Sequence, residues 1–349
     1  MTQPDARYVL IGCYTTGAGG SGTGISLLTQ DESGRPKHIQ LAAEATSPAF
    51  LAKDPSEQHI YAVSEVDGEG SVLAFAVQPD GTLRTLNSQP TGGVGPCHLT
   101  VHPSGRYVLS ANYVSGSVAV HPIAEDGSLR PRSDLVQHAG GGPETDRQEG
   151  PHAHNVQVDR AGEHIIVADL GTDELRSYRL NLERGKLETG PVAHANPGSG
   201  PRHVAYHGDG RVFVANELDS TVTTYTYDAG AGELNRGDSV PATVEAPGAE
   251  RNYPSEILVS RDGRFVYVAN RGNDVITTFA VGESALEPVA DVPAGGAWPR
   301  HIGLVGDCLW AANQNSDNIV AFSLDPEKGL PTQIASIDSP SPSCVLALF

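Results

Sequence analysis

The sequence predicts an all-β fold, a seven-bladed β-propeller of four-stranded antiparallel blades, and three observations carry that expectation. The first is an internal repeat, clearest over residues 201–227, that reads strand, Gly-containing turn, strand ending in Ala-Asn-X, then a third strand. The second is a proline that opens each copy, at Pro48, Pro96, Pro151, Pro201, Pro254, Pro299 and Pro342, marking seven units of about 50 residues, the size of a blade. The third is that the two ends of the chain are complementary fragments of one unit.

Each part of the unit has a local reason. The turn after the first strand is built on Gly105, Gly162, Gly210 and Gly263, where glycine adopts backbone conformations that other residues avoid. The second strand closes with Ala111-Asn112, Ala168-Asp169, Ala215-Asn216, Ala269-Asn270 and Ala312-Asn313. These asparagines read as turn-formers, since the side chain bonds nearby backbone and tolerates left-handed conformations. The third strand sets an aromatic residue three positions after an aliphatic one, as in Val72 and Phe75, Leu175 and Tyr178, Val222 and Tyr225, Ile276 and Phe279, Ile319 and Phe322. His121 after Val118 and Leu28 after Ile25 depart from it.

At the ends, residues 8–14 match the second strand 107–113 with no first strand ahead of them, and residues 341–346 supply a first strand alone. A C-terminal strand over 342–349 is therefore expected to pair with the N-terminal segment, closing the ring and removing exposed strand edges. The repeat leaves no linker, so residues 1–349 read as a single domain.

Composition narrows the function classes. The 40 glycines and 25 prolines suit many short strands joined by tight turns. Cys13, Cys97, Cys308 and Cys344 have no short paired spacing and read as buried free thiols. No apolar run approaches the roughly 18 residues that span a bilayer, and residues 1–7 lack a basic segment followed by an apolar one, so a cytoplasmic location is expected. A formal net charge of −19 argues against nucleic acid and anionic membrane as partners, leaving a monomer or weak homo-oligomer as the expectation. In so acidic a chain, basic residues at equivalent repeat positions stand out.

Positions that stay constant across blades make the scaffold, and those that change in polar character are free for other work. Two slots change. The first, after the opening proline, holds Ala49-Phe50, Cys97-His98, His152-Ala153-His154, Arg202-His203, Ser255-Glu256, Arg300-His301 and Ser343-Cys344. The second, after Ala-Asn, holds Tyr14, Val66, Tyr113, Leu170, Glu217, Arg271 and Gln314. The first strand of a propeller blade lines the channel and the second runs antiparallel to it, so both slots open on one channel mouth.

That mouth should bind a small anionic molecule. Arginine offers a planar fork for carboxylate or phosphate and can stabilise an oxyanion, while histidine and glutamate move protons. Glu217 and Arg271 are the sharpest signals, because each is charged where other blades are not. His98, His203 and His301 read either as substrate-binding groups or as hydrogen-bonding links to the next blade. His152 and His154 would point the same way on a regular strand, the geometry of half a metal site, but clustered arginine repels a cation and no metal or cofactor is expected. The insertion 139–150 reads as a surface loop or as a flap over the mouth.

The segments Gly150-Pro151-His152-Ala153-His154, Gly200-Pro201-Arg202-His203, Asn216-Glu217-Leu218, Pro254-Ser255-Glu256-Ile257 and Val268-Ala269-Asn270-Arg271-Gly272 resemble the seven-bladed propeller lactonase family, over nearly the whole chain. That family includes propeller-type 6-phosphogluconolactonases and carboxy-cis,cis-muconate cyclase. The resemblance implies a metal-free site in which His154, Arg202, Glu217 and Arg271 are catalytic. His98, His152, His203, Glu256, Arg300 and His301 remain as substrate-binding candidates at the mouth.

The activity it implies is hydrolysis of 6-phosphogluconolactone in the pentose phosphate route, the substrate being a phosphorylated sugar lactone or a carboxylate. A muconate-type cycloisomerase is the alternative within the family. A non-catalytic scaffolding propeller is the alternative outside it, and would scatter these charges over the rim.

Overall fold

The computed structural model describes residues 7–245, 248 and 251–348. They form seven four-stranded sheets, each antiparallel, with two short 3-10 turns at Thr16–Ala18 and Gln314–Ser316 and no α-helix. Blade 1 combines Pro342–Leu348 with Arg7–Cys13, Gly24–Gln30 and Pro36–Glu44. Blades 2 to 7 begin at their hub strands Pro48–Lys53, Pro96–Val101, Ala153–Val158, Pro201–Tyr206, Tyr253–Val259 and Pro299–Val305. Each hub strand touches the hub strands on either side, and the circle closes from blade 7 through blade 1 to blade 2.

Closure occurs where the sequence places it, with Tyr8 paired to Leu348 and Cys13 to Pro342. Phe349, the last residue of the expected closing strand, lies outside the described residues. All four cysteines are buried, and Cys13, Cys97 and Cys344 are free thiols.

The core lies between blades. Each second strand is apolar on both faces because it is covered by a sheet on either side, and Phe265–Arg271 and Cys308–Asn313 are buried throughout. Trp310 packs with Val9, Ile11 and Val345 between blades 7 and 1, and Phe213 with Val266 and Phe279 between blades 5 and 6. Each such side chain contributes about 1.5–3 kcal/mol by leaving water, so every blade depends on its neighbours.

The asparagines that end the second strands are not left-handed turn residues. Asn112, Asn216, Asn270 and Asn313 are fully buried, and their amides reach across: Asn216 donates to Thr221 Oγ1 (2.9 Å) and Thr223 Oγ1 (2.8 Å), Asn270 to Thr277 Oγ1 (2.9 Å), and Asn313 to Ala294 O (3.0 Å). The left-handed position falls four residues later, at Gly116, Asp173, Ser220, Asp274 and Asp317. A buried amide that joins two strands is a clasp, and the turn is made elsewhere.

One irregularity positions the functional groups. In all seven blades the pairing of the first two strands skips a residue just after the hub strand opens: at Ser343, Cys97, His154, Arg202 and Arg300, and within 49–50 and 255–256. A β-bulge at a barrel-like rim re-aims a side chain, and here the bulged position is the first slot.

This register corrects two sequence assignments. In blade 4 it is Ala153, not Pro151, that pairs with Asp169 as the prolines pair with asparagine elsewhere. His152 therefore precedes the strand and His154 occupies the bulge, so the two do not share a regular strand face. In blade 2, Pro48 pairs with Ser64, which makes Glu65 rather than Val66 the second-slot residue. Serine in place of asparagine hid that frame.

Candidate active site

The hub is closed midway by an aromatic plug. The Phe50 ring lies 4.0 Å from His98, 5.5 Å from His301 and 6.1 Å from His203, measured between centroids. Below the plug opens a cavity of about 630 Å³, lined by the far ends of the hub strands, including Tyr206, His207 and Ser260. Above it a small pocket is lined by Tyr14, Arg202, His203 and Arg300. Volume favours the lower end, and chemistry favours the upper. Proton transfer and oxyanion stabilisation need converging charged groups, and at the upper end three arginines converge on one buried carboxylate.

At the centre of the upper end is Glu217. Its Oε2 lies 2.6 Å from Arg271 Nη2 and 2.9 Å from Arg202 Nε, and its Oε1 accepts a hydrogen bond from Arg147 Nη2 at 2.6 Å. Arg202 Nε is close without being aligned to donate, and that guanidinium's hydrogen bond goes instead from Nη1 to Ser255 O, 2.7 Å away. Arg271 is fixed further by Tyr253 O (3.1 Å) and by the Trp298 ring, 5.4 Å from its Cζ.

Burial alone would raise the Glu217 pKa, but Arg271, Arg202 and Arg147 together hold the carboxyl far below the usual carboxylate range. It remains charged and fully engaged. The cations are less well balanced: burial, then Arg271, pulls Arg202 down to about 9, and burial likewise lowers Arg271. Three guanidiniums share one carboxylate, and such a cluster is stabilised by an incoming anion.

His154 stands beside this group. Burial first, then Arg202 and His203, push its pKa well below 6.5, so the imidazole is neutral at pH 7. Its Nδ1 is buried without a hydrogen-bond partner. Its ring is 5.1 Å from His203 and 5.5 Å, edge-on, from Tyr113.

Arg300 forms a second charged group across the mouth. Its Cζ lies 4.9 Å over the Tyr14 ring and its Nη2 is 4.0 Å from Glu65 Oε1, while Tyr14 donates to Glu65 Oε2 at 2.7 Å. Glu65 and Arg147 were not singled out from the sequence. Serine in place of asparagine concealed the first, and the second comes from an insertion with no counterpart in other blades.

The remaining histidines are tied to neighbouring blades. His98 lies 3.0 Å from the Asn155 amide and accepts from Val156 N–H, His203 and His301 share Glu256 Oε2 at 3.0 and 3.1 Å, and His301 also accepts from Val345 N–H. His98, His203 and His301 thus form a belt of blade-to-blade contacts at the plug, with His203 and His301 joined through Glu256. Burial raises Glu256 and lowers His301 to about 4.

His152 is also engaged. Its Nδ1 is 2.9 Å from Tyr113 O, its Nε2 3.1 Å from Glu149 Oε1, and its ring stacks on Tyr113 at 4.6 Å. With both nitrogens taken it offers no half of a metal site with His154. Among the described residues no cluster of His, Cys, Asp and Glu is arranged to hold a metal ion.

A closed seven-bladed ring with a buried, cation-rich pocket at its hub defines a propeller built around a small-molecule site. The chain belongs to the lactonase family of seven-bladed β-propellers, whose family model matches residues 8–347. It is 36% identical over 344 residues to the 6-phosphogluconolactonase of Bacillus subtilis, covering 96% of each chain. It is 30% identical over 326 residues to a protein of the same name from Formosa agariphila, covering 88% of this chain and 90% of that one. Among solved structures it resembles the periplasmic gluconolactonase of Pseudomonas aeruginosa, with a TM-score of 0.91, 28% identity and 99% of each chain covered.

Proposed function

We propose that this protein hydrolyses a sugar lactone, 6-phosphogluconolactone, to the open-chain 6-phosphogluconate. The observation that carries this reading is the juxtaposition of a neutral, unpartnered imidazole, His154, with guanidiniums that outnumber their carboxylate.

His154 takes a proton from water as the water oxygen attacks the lactone carbonyl carbon. Arg202 and Arg271 stabilise the oxyanion more than the neutral carbonyl it replaces, which is the condition for catalysis. The ring C–O bond then breaks, and the imidazolium returns its proton to the departing alkoxide. Glu217 has both oxygens committed to arginines, so it positions them and the proton-accepting role falls to His154.

In this reading the chain works as one domain, as a monomer or weak homo-oligomer in the cytoplasm, on a free small anion, with neither metal nor cofactor. Its net charge of −19 disfavours nucleic acid and anionic membrane surfaces. Among the described residues no helix is long and apolar enough to cross a membrane.

The test is lactone disappearance above the spontaneous rate, run beside an ultraviolet assay on a carboxymuconate. Turnover of the muconate alone would replace hydrolysis with cycloisomerisation.

A further inference from the structure

We propose that Arg147, on the insertion 139–150, recognises the anionic group of the substrate remote from the reacting carbonyl. On the lactonase reading, on which this inference rests, that group is a phosphate monoester.

The insertion is clamped at both ends to one carboxylate. His138, just before it, places Nδ1 2.6 Å from Asp169 Oδ2, and His152, just after it, donates its backbone N–H to Asp169 Oδ1 at 2.8 Å. Within the insertion Gln148 is 1% exposed and donates to Leu170 O and Asp173 Oδ1, both at 2.8 Å, while its Oε1 accepts from Glu144 N–H at 3.1 Å. A loop held at three buried points is a fixed wall of the mouth. Arg147, next to Gln148, is therefore placed by structure.

The use Arg147 makes of its donors is incomplete. Both of its hydrogen bonds, to Glu217 Oε1 and to Tyr113 Oη at 3.1 Å, leave from Nη2. Among the described residues its Nε and Nη1 make none. Its side chain is 29% exposed, against 3% for Arg202 and 6% for Arg271, so an arriving solute can reach those nitrogens. Glu217 already has two buried cations, so the third is surplus to its neutralisation. Surplus positive charge at a reachable fork is the arrangement that takes a phosphate.

Tyr113 lies between Arg147 and His154: its hydroxyl meets Arg147 and its ring presents to His154 at 5.5 Å. A lactone whose carbonyl sits at His154 and Arg202 would bring its far end toward Arg147.

The experiment compares wild type with Arg147→Ala and Arg147→Lys on 6-phosphogluconolactone and on unphosphorylated glucono-δ-lactone. Thermal unfolding serves as the folding control. A charged hydrogen bond of about 1.5–3 kcal/mol corresponds to roughly a 10–150-fold fall in the ratio of kcat/KM values, phosphorylated over unphosphorylated, in the alanine variant. The lysine variant should retain part of that ratio. An unchanged ratio, or equal losses on both lactones, overturns the proposal.

Calorimetric binding of 6-phosphogluconate and gluconate separates this inference from the one beneath it. If wild type hydrolyses neither lactone the functional reading fails. Arg147 still stands if Arg147→Ala weakens 6-phosphogluconate alone, and falls if both products bind the variant as they bind wild type.

Discussion

Glu217 and Arg271 lie 54 residues apart, on successive blades, and meet at 2.6 Å in the second slot of each. Arg271 is the one arginine in that slot, and the carboxylate of Glu217 has a counterpart there in Glu65 of blade 2 alone. The pair therefore ties blade 5 to blade 6 where Arg147 and Arg202 also meet Glu217, and it orients the guanidinium assigned to the oxyanion.

Replacing Arg271 with alanine should lower lactone turnover by about 10²–10³, the scale seen when an oxyanion donor is lost. Circular dichroism should stay that of the folded ring, since Glu217 keeps Arg202 and Arg147. Turnover equal to wild type would remove Arg271 from the mechanism.

Glu217→Gln tests the opposite side of the pair. It leaves buried guanidiniums without their counter-charge, a change that costs about 3–5 kcal/mol, and added phosphate should restore part of the loss by binding there. The Glu217 pKa is depressed in the folded state, so its stabilisation is complete above the ordinary value of 4.5 and is lost as pH falls toward the folded value. Melting temperatures of wild type and variant should converge on acidification. Divergence in acid would contradict the charge assignment.

The acid limb of kcat/KM should lie below pH 6.5. Burial and the Arg202 charge disfavour protonated His154, so the basic form persists to lower pH than in an ordinary histidine. An inflection at or above 6.5 that disappears in His154→Ala would show that the imidazole is not in the environment described.

Asp169→Ala should release the insertion 139–150, because one carboxylate holds both of its ends. Faster amide exchange in that segment and at His152 is expected, with a stability loss of about 1–3 kcal/mol from the buried His138 Nδ1 left without a partner. Unchanged exchange would mean that Gln148 alone anchors the loop.

Removing residues 342–348 should abolish cooperative folding. Those residues supply the hub strand of blade 1, and without them Arg7–Cys13 exposes an unpaired edge. A truncated chain that still unfolds in one sharp transition would contradict the closed ring.

Much of this was readable along the chain, because a repeated unit reports its own scaffold. Pro201 and Asn216, or Pro299 and Asn313, recur at the same places in successive blades, and they mark where strands begin and end. Glu217 and Arg271 stood out as charges in a slot read as uncharged in the other blades, whereas Arg202, repeated as Arg300, was marked by the family resemblance. The frame blurred where a scaffold residue was itself replaced: Ala153 for proline displaced His154, and Ser64 for asparagine displaced Glu65.

By itself the sequence determined the number of blades, their strand order and the closure of the ring, since periodicity and two complementary ends are properties of a linear string. Which charged groups meet was decided only by the tertiary structure. The bulges aim the first-slot side chains and the ring brings distant blades together, so the engagement of Glu217 by three arginines, the belt through His98, His203 and His301, and the arrival of Arg147 depend on directions in space that no spacing along the chain encodes.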